Sequence, residues 1–178
     1  MEKQIYGLAS ALLKLNRWWL LLLIGVPISI SLYSKGSGSN ETTNQIIVNF
    51  SGAVLLLWLF AIKHKANDKL IENGIKIQIL QYFNILIIFN IVFYVLSFFA
   101  TKTIDSSYNN IQIHYVTPII IPIVFCISFF GTLFLVSKTL VSAELNKEAT
   151  FNEYVSTLLL LIFTPIGIWF IQPRVQQV

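Results

Sequence analysis

The sequence predicts an all-α protein, a polytopic transmembrane helical bundle with four full spans, a short fifth segment interrupted by proline and glycine, and an N-terminal interfacial amphipathic helix. Three observations carry this. Of 178 residues, 56% are hydrophobic and only 11% are charged, whereas a soluble domain carries about 25% charged residues. Mean hydropathy is +0.73. Apolar runs such as ILQYFNILIIFNIVFYVLSFFA and TPIIIPIVFCISFFGTLFLV reach the ~20 residues needed to cross a hydrocarbon core ~30 Å thick.

The elements follow in order within a single membrane domain, 1–178. In residues 1–17, Ile5, Leu8, Leu12 and Leu15 share one helical face, with Lys3, Ser10, Lys14 and Arg17 opposite, the pattern of a basic helix lying on a membrane surface. The first span, 18–33, has aromatic residues at both ends as interfacial anchors and Pro27 as a kink. A flexible polar loop, Ser34 to Gln45, contains the glycosylation-type triplet Asn40-Glu41-Thr42. Spans at 46–62, 75–100 and 117–136 come next. The stretch 137–154 reads as a hydrophilic cytoplasmic segment. Thr150 and Glu153 have the spacing of a capping box, so a new helix should start there. Its apolar part, 155–171, is short and is broken by Pro165 and Gly167, giving either a kinked crossing or a re-entrant element that turns back near Pro165.

Orientation follows from the basic residues, because cytoplasmic flanks carry the excess. With the N-terminus inside, Lys3, Lys14, Arg17, Lys63, Lys65, Lys69, Lys76, Lys138 and Lys147 lie on the inner flanks, against Lys35 and Lys102 outside. The net charge of +4 is thereby assigned to topology and lipid headgroups, and no direct nucleic-acid binding is expected.

Chemistry has little to stand on. This topology places His64 and His114 on opposite sides of a core ~30 Å thick, and HExxH, GxSxG and phosphate-cradling glycine patterns do not occur. The single cysteine, Cys126, lies in an apolar run; it excludes an internal disulfide and reads as a small buried hydrophobe. Glu144, Glu148 and Glu153 read as a solvated helix face rather than as acids or metal ligands. Apart from Lys76 at the inner end of the third, the spans hold no Asp, Glu, Lys, Arg or His, which disfavours ion-coupled transport. They do hold a polar intramembrane set, Asn84, Asn90, Tyr94 and Ser97, with Asn90, Tyr94 and Ser97 on one face. Intramembrane asparagine serves as helix-to-helix glue or lines a wet passage. Pro118, Pro122 and Cys126 form another line. Ser128, Gly131 and Thr132, and likewise Asn49 and Gly52, are the small and polar residues that let helices approach closely.

The stretch from Lys138-Thr139-Leu140 through Ser142-Ala143-Glu144, Glu148 and Phe151 to Pro165-Ile-Gly167-Ile-Trp169-Phe-Ile-Gln172-Pro173-Arg174 resembles the C-terminal part of small uncharacterised multi-pass inner-membrane proteins of Bacteroidota. These end in a similar Pro-x-Gly-x-Trp-x-x-Gln-Pro-Arg signature. The resemblance implies an inner-membrane location and supplies no catalytic residue. Size and layout are also similar to four-span accessory proteins encoded beside RNA-targeting CRISPR effectors, without a shared motif. The expected function is a non-catalytic accessory protein without cofactors, whose docking surface for a cytoplasmic partner protein comprises Glu144, Glu148, Pro165, Gly167, Trp169, Gln172, Pro173 and Arg174. The alternatives are a homo-oligomeric pore or membrane-disrupting effector acting in defence, and an intramembrane enzyme using Glu144 or Glu148.

Overall fold

Glycine and asparagine decide where the long helices stop. In the computed structural model, which describes residues 7, 10–35, 41–104 and 117–178, a helical stretch at 10–14 precedes α1 (Arg17–Lys35) and α2 (Glu41–Glu72). A 3-10 turn at Gln78–Leu80 leads into α3 (Gln81–Ile104), followed by α4 (Thr117–Leu145), α5 (Phe151–Ile162) and α6 (Thr164–Gln177). Past the end of α2, Gly74 takes φ 72°, a left-handed conformation that glycine adopts without steric cost. The Ile75 N–H then reaches back to the Leu70 carbonyl at 2.8 Å, and the Gly74 N–H to Ile71 at 2.9 Å. These two bonds satisfy carbonyls that a helix end would otherwise leave unpaired. Asn146, at φ 51°, does the same after α4, where the Lys147 N–H bonds the Ser142 carbonyl at 3.2 Å. The two turns are tied together by Asn73 Nδ2, which donates to Asn146 Oδ1 at 2.8 Å.

Five helices close a ring: α1 packs on α2, α2 on α4, α4 on α5, α5 on α6 and α6 on α1, with α3 laid outside against α4 and α2. The ring encloses Leu20, Ile24, Trp58, Leu59, Ile62, Leu133, Leu140, Leu161, Ile168 and Ile171, all essentially inaccessible. Burying side chains of this size contributes ~1.5–3 kcal/mol each when they leave water. The outward faces are apolar too. Ile85, Ile88, Phe89, Val92 and Val95 on α3 and Ile123 and Phe130 on α4 are about half exposed, and Ile127 two-thirds exposed.

Among the described residues all regular structure is helical. Two helices are long and apolar enough to cross a membrane, Ile46–Glu72 within α2 and Ile123–Leu145 within α4. Shorter apolar stretches are Arg17–Pro27, Gln81–Phe93 and Phe151–Ile162. Helix α1 runs through Pro27. Helix α2 continues without interruption past residue 62 through KHKANDKLIE, so its basic tail is helical.

The expected hydrophilic segment after residue 136 is different in kind. Ser137, Thr139, Leu140, Val141, Ser142 and Ala143 are buried in the last turns of α4. Polarity misleads here because the hydroxyls turn back onto their own helix: Ser137 donates to the Leu133 carbonyl at 2.7 Å and Thr139 to Leu135 at 2.6 Å. A hydroxyl satisfied in this way can be buried at little cost. Cys126 also departs from expectation, being exposed on the outer face of α4. Its place in an apolar run reflects an apolar outer helix face and not a core. Asn40 and His114 lie outside the described residues, as do the side chains of Tyr94, Ser97, Pro118 and Pro122, whereas positions 41–45, expected in a flexible loop, are the first turns of α2.

Candidate functional site

The chain reverses between α5 and α6. Phe163, at φ −89° and ψ 57°, breaks the helix. Pro165 then occupies the first turn of α6, where its fixed φ suits a helix start and its missing N–H costs nothing. Gly167 makes the turn tight: a Cβ there would lie 1.8 Å from the Leu160 carbonyl oxygen and 2.6 Å from the carbonyl carbon. At the far end of the hairpin, Arg174 Nη1 donates to Thr157 Oγ1 at 3.0 Å. In one continuous helix those residues would stand about 25 Å apart.

That reversal sets Arg174 against α4. Its Nε and Nη2 donate to Glu144 Oε1 and Oε2 at 2.8 and 2.6 Å. The paired, parallel bonds exploit the guanidinium's planar fork. Both side chains are about a quarter to a third exposed, so the pair is partly shielded. Two residues back, the buried Gln172 is the junction of the bundle. Its Oε1 accepts from Trp58 Nε1 at 2.9 Å, and its Nε2 donates to the carbonyls of Leu13 at 2.8 Å and Leu15 at 3.0 Å, with Leu12 at 3.4 Å. Gln176 Nε2 adds a bond to the Leu13 carbonyl at 3.1 Å. Two glutamines on α6 thus satisfy the open carbonyls that end the helical stretch 10–14. The end of α6 is served in turn by Lys65 of α2, whose Nζ donates to the carbonyls of Val175 at 2.7 Å and Gln176 at 3.2 Å. A cation at a helix C-terminus also complements the helix dipole.

Trp169 faces α1, edge-on to Trp18 with centroids 4.4 Å apart and with Arg17 Cζ 4.5 Å above its ring. Pro173 lies inside α6, so the closing motif is the middle of a helix and not its stop. On the α4–α5 connection, Lys138 pairs with Glu148 and Lys147 with Glu153, each at 2.6 Å. The Thr150–Glu153 capping box forms. Its short contacts are those of Glu153 Oε2, which accepts from the Thr150 N–H at 2.7 Å and the Thr150 hydroxyl at 2.9 Å. Bonding to Lys147 first, then to the Thr150 N–H and hydroxyl, holds the Glu153 carboxyl down at about 2. Burial pushes the Tyr154 hydroxyl up.

The polar set expected within the membrane divides. Asn84 is exposed. Asn90 is fully buried at the α3–α4 seam, where Nδ2 donates to the Leu86 carbonyl at 2.7 Å and Thr132 Oγ1 at 3.3 Å. Its Oδ1 is buried without a partner among the described residues. Gly131 lets the seam close, since a Cβ there would meet Leu86 Cδ1 at 3.0 Å.

Of the residues expected to dock a partner, Glu144, Gly167, Gln172 and Arg174 are engaged inside the bundle, Trp169 packs on α1, and Glu148 and Pro165 remain exposed. Sequence reasoning missed Trp58, Lys65, Thr157 and Gln176. The i, i+4 spacing of Gln172 and Gln176 on one helical face was the available signal for the last of these. Among the described residues no group of three or more His, Cys, Asp or Glu is placed to hold a metal. The arrangement defines an all-helical bundle locked by polar bonds at its basic end. No family model, curated protein or solved structure matches the chain.

Proposed function

We propose that the chain is a non-catalytic accessory protein of the bacterial inner membrane, N-terminus cytoplasmic, whose basic end docks a partner protein. In this reading α1 to α4 are four spans and the α5–α6 hairpin enters and leaves from the cytoplasmic side. Helices α1 and α3 have 19 and 24 residues, or ~29 and ~36 Å of length, enough for a core ~30 Å thick. Lys14, Arg17, Lys63, Lys65, Lys69, Lys76, Lys138 and Lys147 gather at the end where α2 and α4 stop, and the Arg174–Glu144 pair brings the far end of α6 there too.

The observation that supports docking is a set of exposed apolar side chains near that basic end. Ile71, Leu145 and Phe151 are 63%, 45% and 57% exposed, and the Asn73–Asn146 bond holds the first two turns together. Exposed apolar groups rimmed by charge mark interaction surfaces. The docking role therefore moves from the closing motif, which serves the interior, to Ile71, Leu145, Glu148 and Phe151.

Two experiments test this. With Cys126 replaced by alanine, single cysteines at Ser37, Asn67 and Gln176 are treated with an impermeant reagent on intact cells; labelling is expected at Ser37 alone. Labelling at Gln176 would sink the re-entrant hairpin. Photo-crosslinkers at Leu145 and Phe151 in living cells should yield one discrete adduct with a different protein, lost on Ile71→Lys. An adduct of twice the chain's own mass would instead support the homo-oligomer.

A further inference from the structure

A second feature at the basic end has the character of a ligand site. Ala61, His64, Lys65 and Asp68 recur at i, i+3, i+4 and i+7 and so form one face of α2. With Ser10, Leu13 and Lys14 from the N-terminal stretch and Gln176 from α6, they line a cavity of about 530 Å³. Its floor is apolar, with Ala61 and Leu13 both buried. Its rim is polar and graded. Lys65 is fixed by bonds to the Val175 and Gln176 carbonyls, which occupy two of its three donors. Lys14 is exposed opposite, and Asp68 is exposed further along the face. From Ala61 to Asp68 the face rises ~10 Å, from the depth of the apolar part of α2 to its hydrophilic tail.

This sequence of groups suits an amphipathic anion better than a free one. A phosphodiester takes hydrogen bonds and charge from Lys14 and Lys65, its glycerol backbone meets the floor at Leu13 and Ala61, and the Asp68 carboxylate can accept only from donors on the second substituent. We propose that this cavity binds the headgroup of a phospholipid whose phosphate carries a donor-bearing substituent, ethanolamine or glycerol. Choline, which offers no N–H or O–H, satisfies the lysines and meets Asp68 by charge alone, without a hydrogen bond. The inference does not depend on the docking surface, which lies at Ile71, Leu145 and Phe151.

The test is a titration of the full detergent-solubilised chain by native mass spectrometry with short-chain phosphatidylethanolamine, phosphatidylglycerol and phosphatidylcholine, and separately with inorganic phosphate. The first two should bind more tightly than phosphatidylcholine. Lys14→Gln should weaken all three lipids about fivefold, the effect of one basic residue near a phosphate, and Lys14→Arg should restore them. Asp68→Leu should narrow the preference over phosphatidylcholine, because only the first two lipids lose a hydrogen bond along with the carboxylate. Equal binding of the three lipids by the native chain, or no response to Lys14→Gln, would overturn the site. Inorganic phosphate displacing the lipids at matching concentration would overturn the lipid as its occupant.

Discussion

Trp58 and Gln172 stand 114 positions apart in the chain and meet in the buried interior, indole N–H to amide oxygen, at 2.9 Å. The same amide's nitrogen holds the carbonyls of Leu13 and Leu15. One side chain therefore joins α2, α6 and the N-terminal stretch.

Gln172→Leu keeps the bulk but leaves the indole N–H and the carbonyls unpaired. With each orphaned buried group costing about 1–3 kcal/mol and some relief from rearrangement, we expect a loss of about 2 kcal/mol. Thermal unfolding in detergent should show a Tm lower by roughly 4–8 °C. An unchanged Tm would mean that the junction contributes nothing to stability.

Gly167→Ala should be far more damaging than Gly25→Ala. At Gly167 the new methyl collides with the Leu160 backbone, whereas at Gly25 it would meet only Leu21 Cγ at 3.6 Å. We expect the first to cost about 3 kcal/mol by overpacking and the second to be neutral or stabilising, because alanine is the better helix former. Denaturation midpoints of the two variants provide the comparison; equal values would refute the tight-turn account.

For Glu144 and Arg174, a double-mutant cycle with Glu144→Gln and Arg174→Gln should return a coupling of about 1–2 kcal/mol. That exceeds the ~0.2–1 kcal/mol of an exposed pair because the bonds are paired and partly shielded. Additive single effects would show the pair to be incidental.

Glu153 carries a pH dependence of determined sign. Its folded carboxyl is depressed to about 2 from an unfolded value of about 4.3. The stabilisation is present above the unfolded value and is lost as pH falls from there towards 2. Carboxyl NMR titration should place the Glu153 midpoint near 2, and Lys147→Met should raise it. A midpoint near 4.3 in the native chain would show the capping contacts to be absent in solution.

Asn90→Leu removes the bond to Thr132 but also the buried, unpartnered Oδ1. We expect a net loss at the low end of the ~0.6–2 kcal/mol range for membrane helix contacts, read as weaker association of α3 with the rest of the bundle. A gain in stability would show that the orphaned acceptor outweighs the bond.

What is legible in the sequence is what has a local signature. The capping box at Thr150 and Glu153 needs a spacing of three. The close approach at Gly131 needs only a small residue in an apolar helix, and the clustering of lysines needs only their order along the chain. Gln172 has no such signature. Its partners lie at positions 12–15 and 58, and no periodicity links them. Ser137 and Thr139 mislead because composition counts a hydroxyl as hydrophilic, although in a helix it can be satisfied by the carbonyl four residues back. Pro165 misleads in a subtler way, since the residue that ordinarily breaks a helix here begins one, and the break falls on Phe163.

The ring of helices also has an order of manufacture. Helix α6 is the last to leave the ribosome among the six, yet it supplies the bonds that finish the first helical stretch and the seat for Lys65. The earlier helices can form as they are synthesised, but Leu13, Trp58 and Glu144 lack these partners until Gln172 and Arg174 arrive. A chain stopped before residue 172 therefore leaves open carbonyls, an unpaired indole and a lone carboxylate at the junction of the ring.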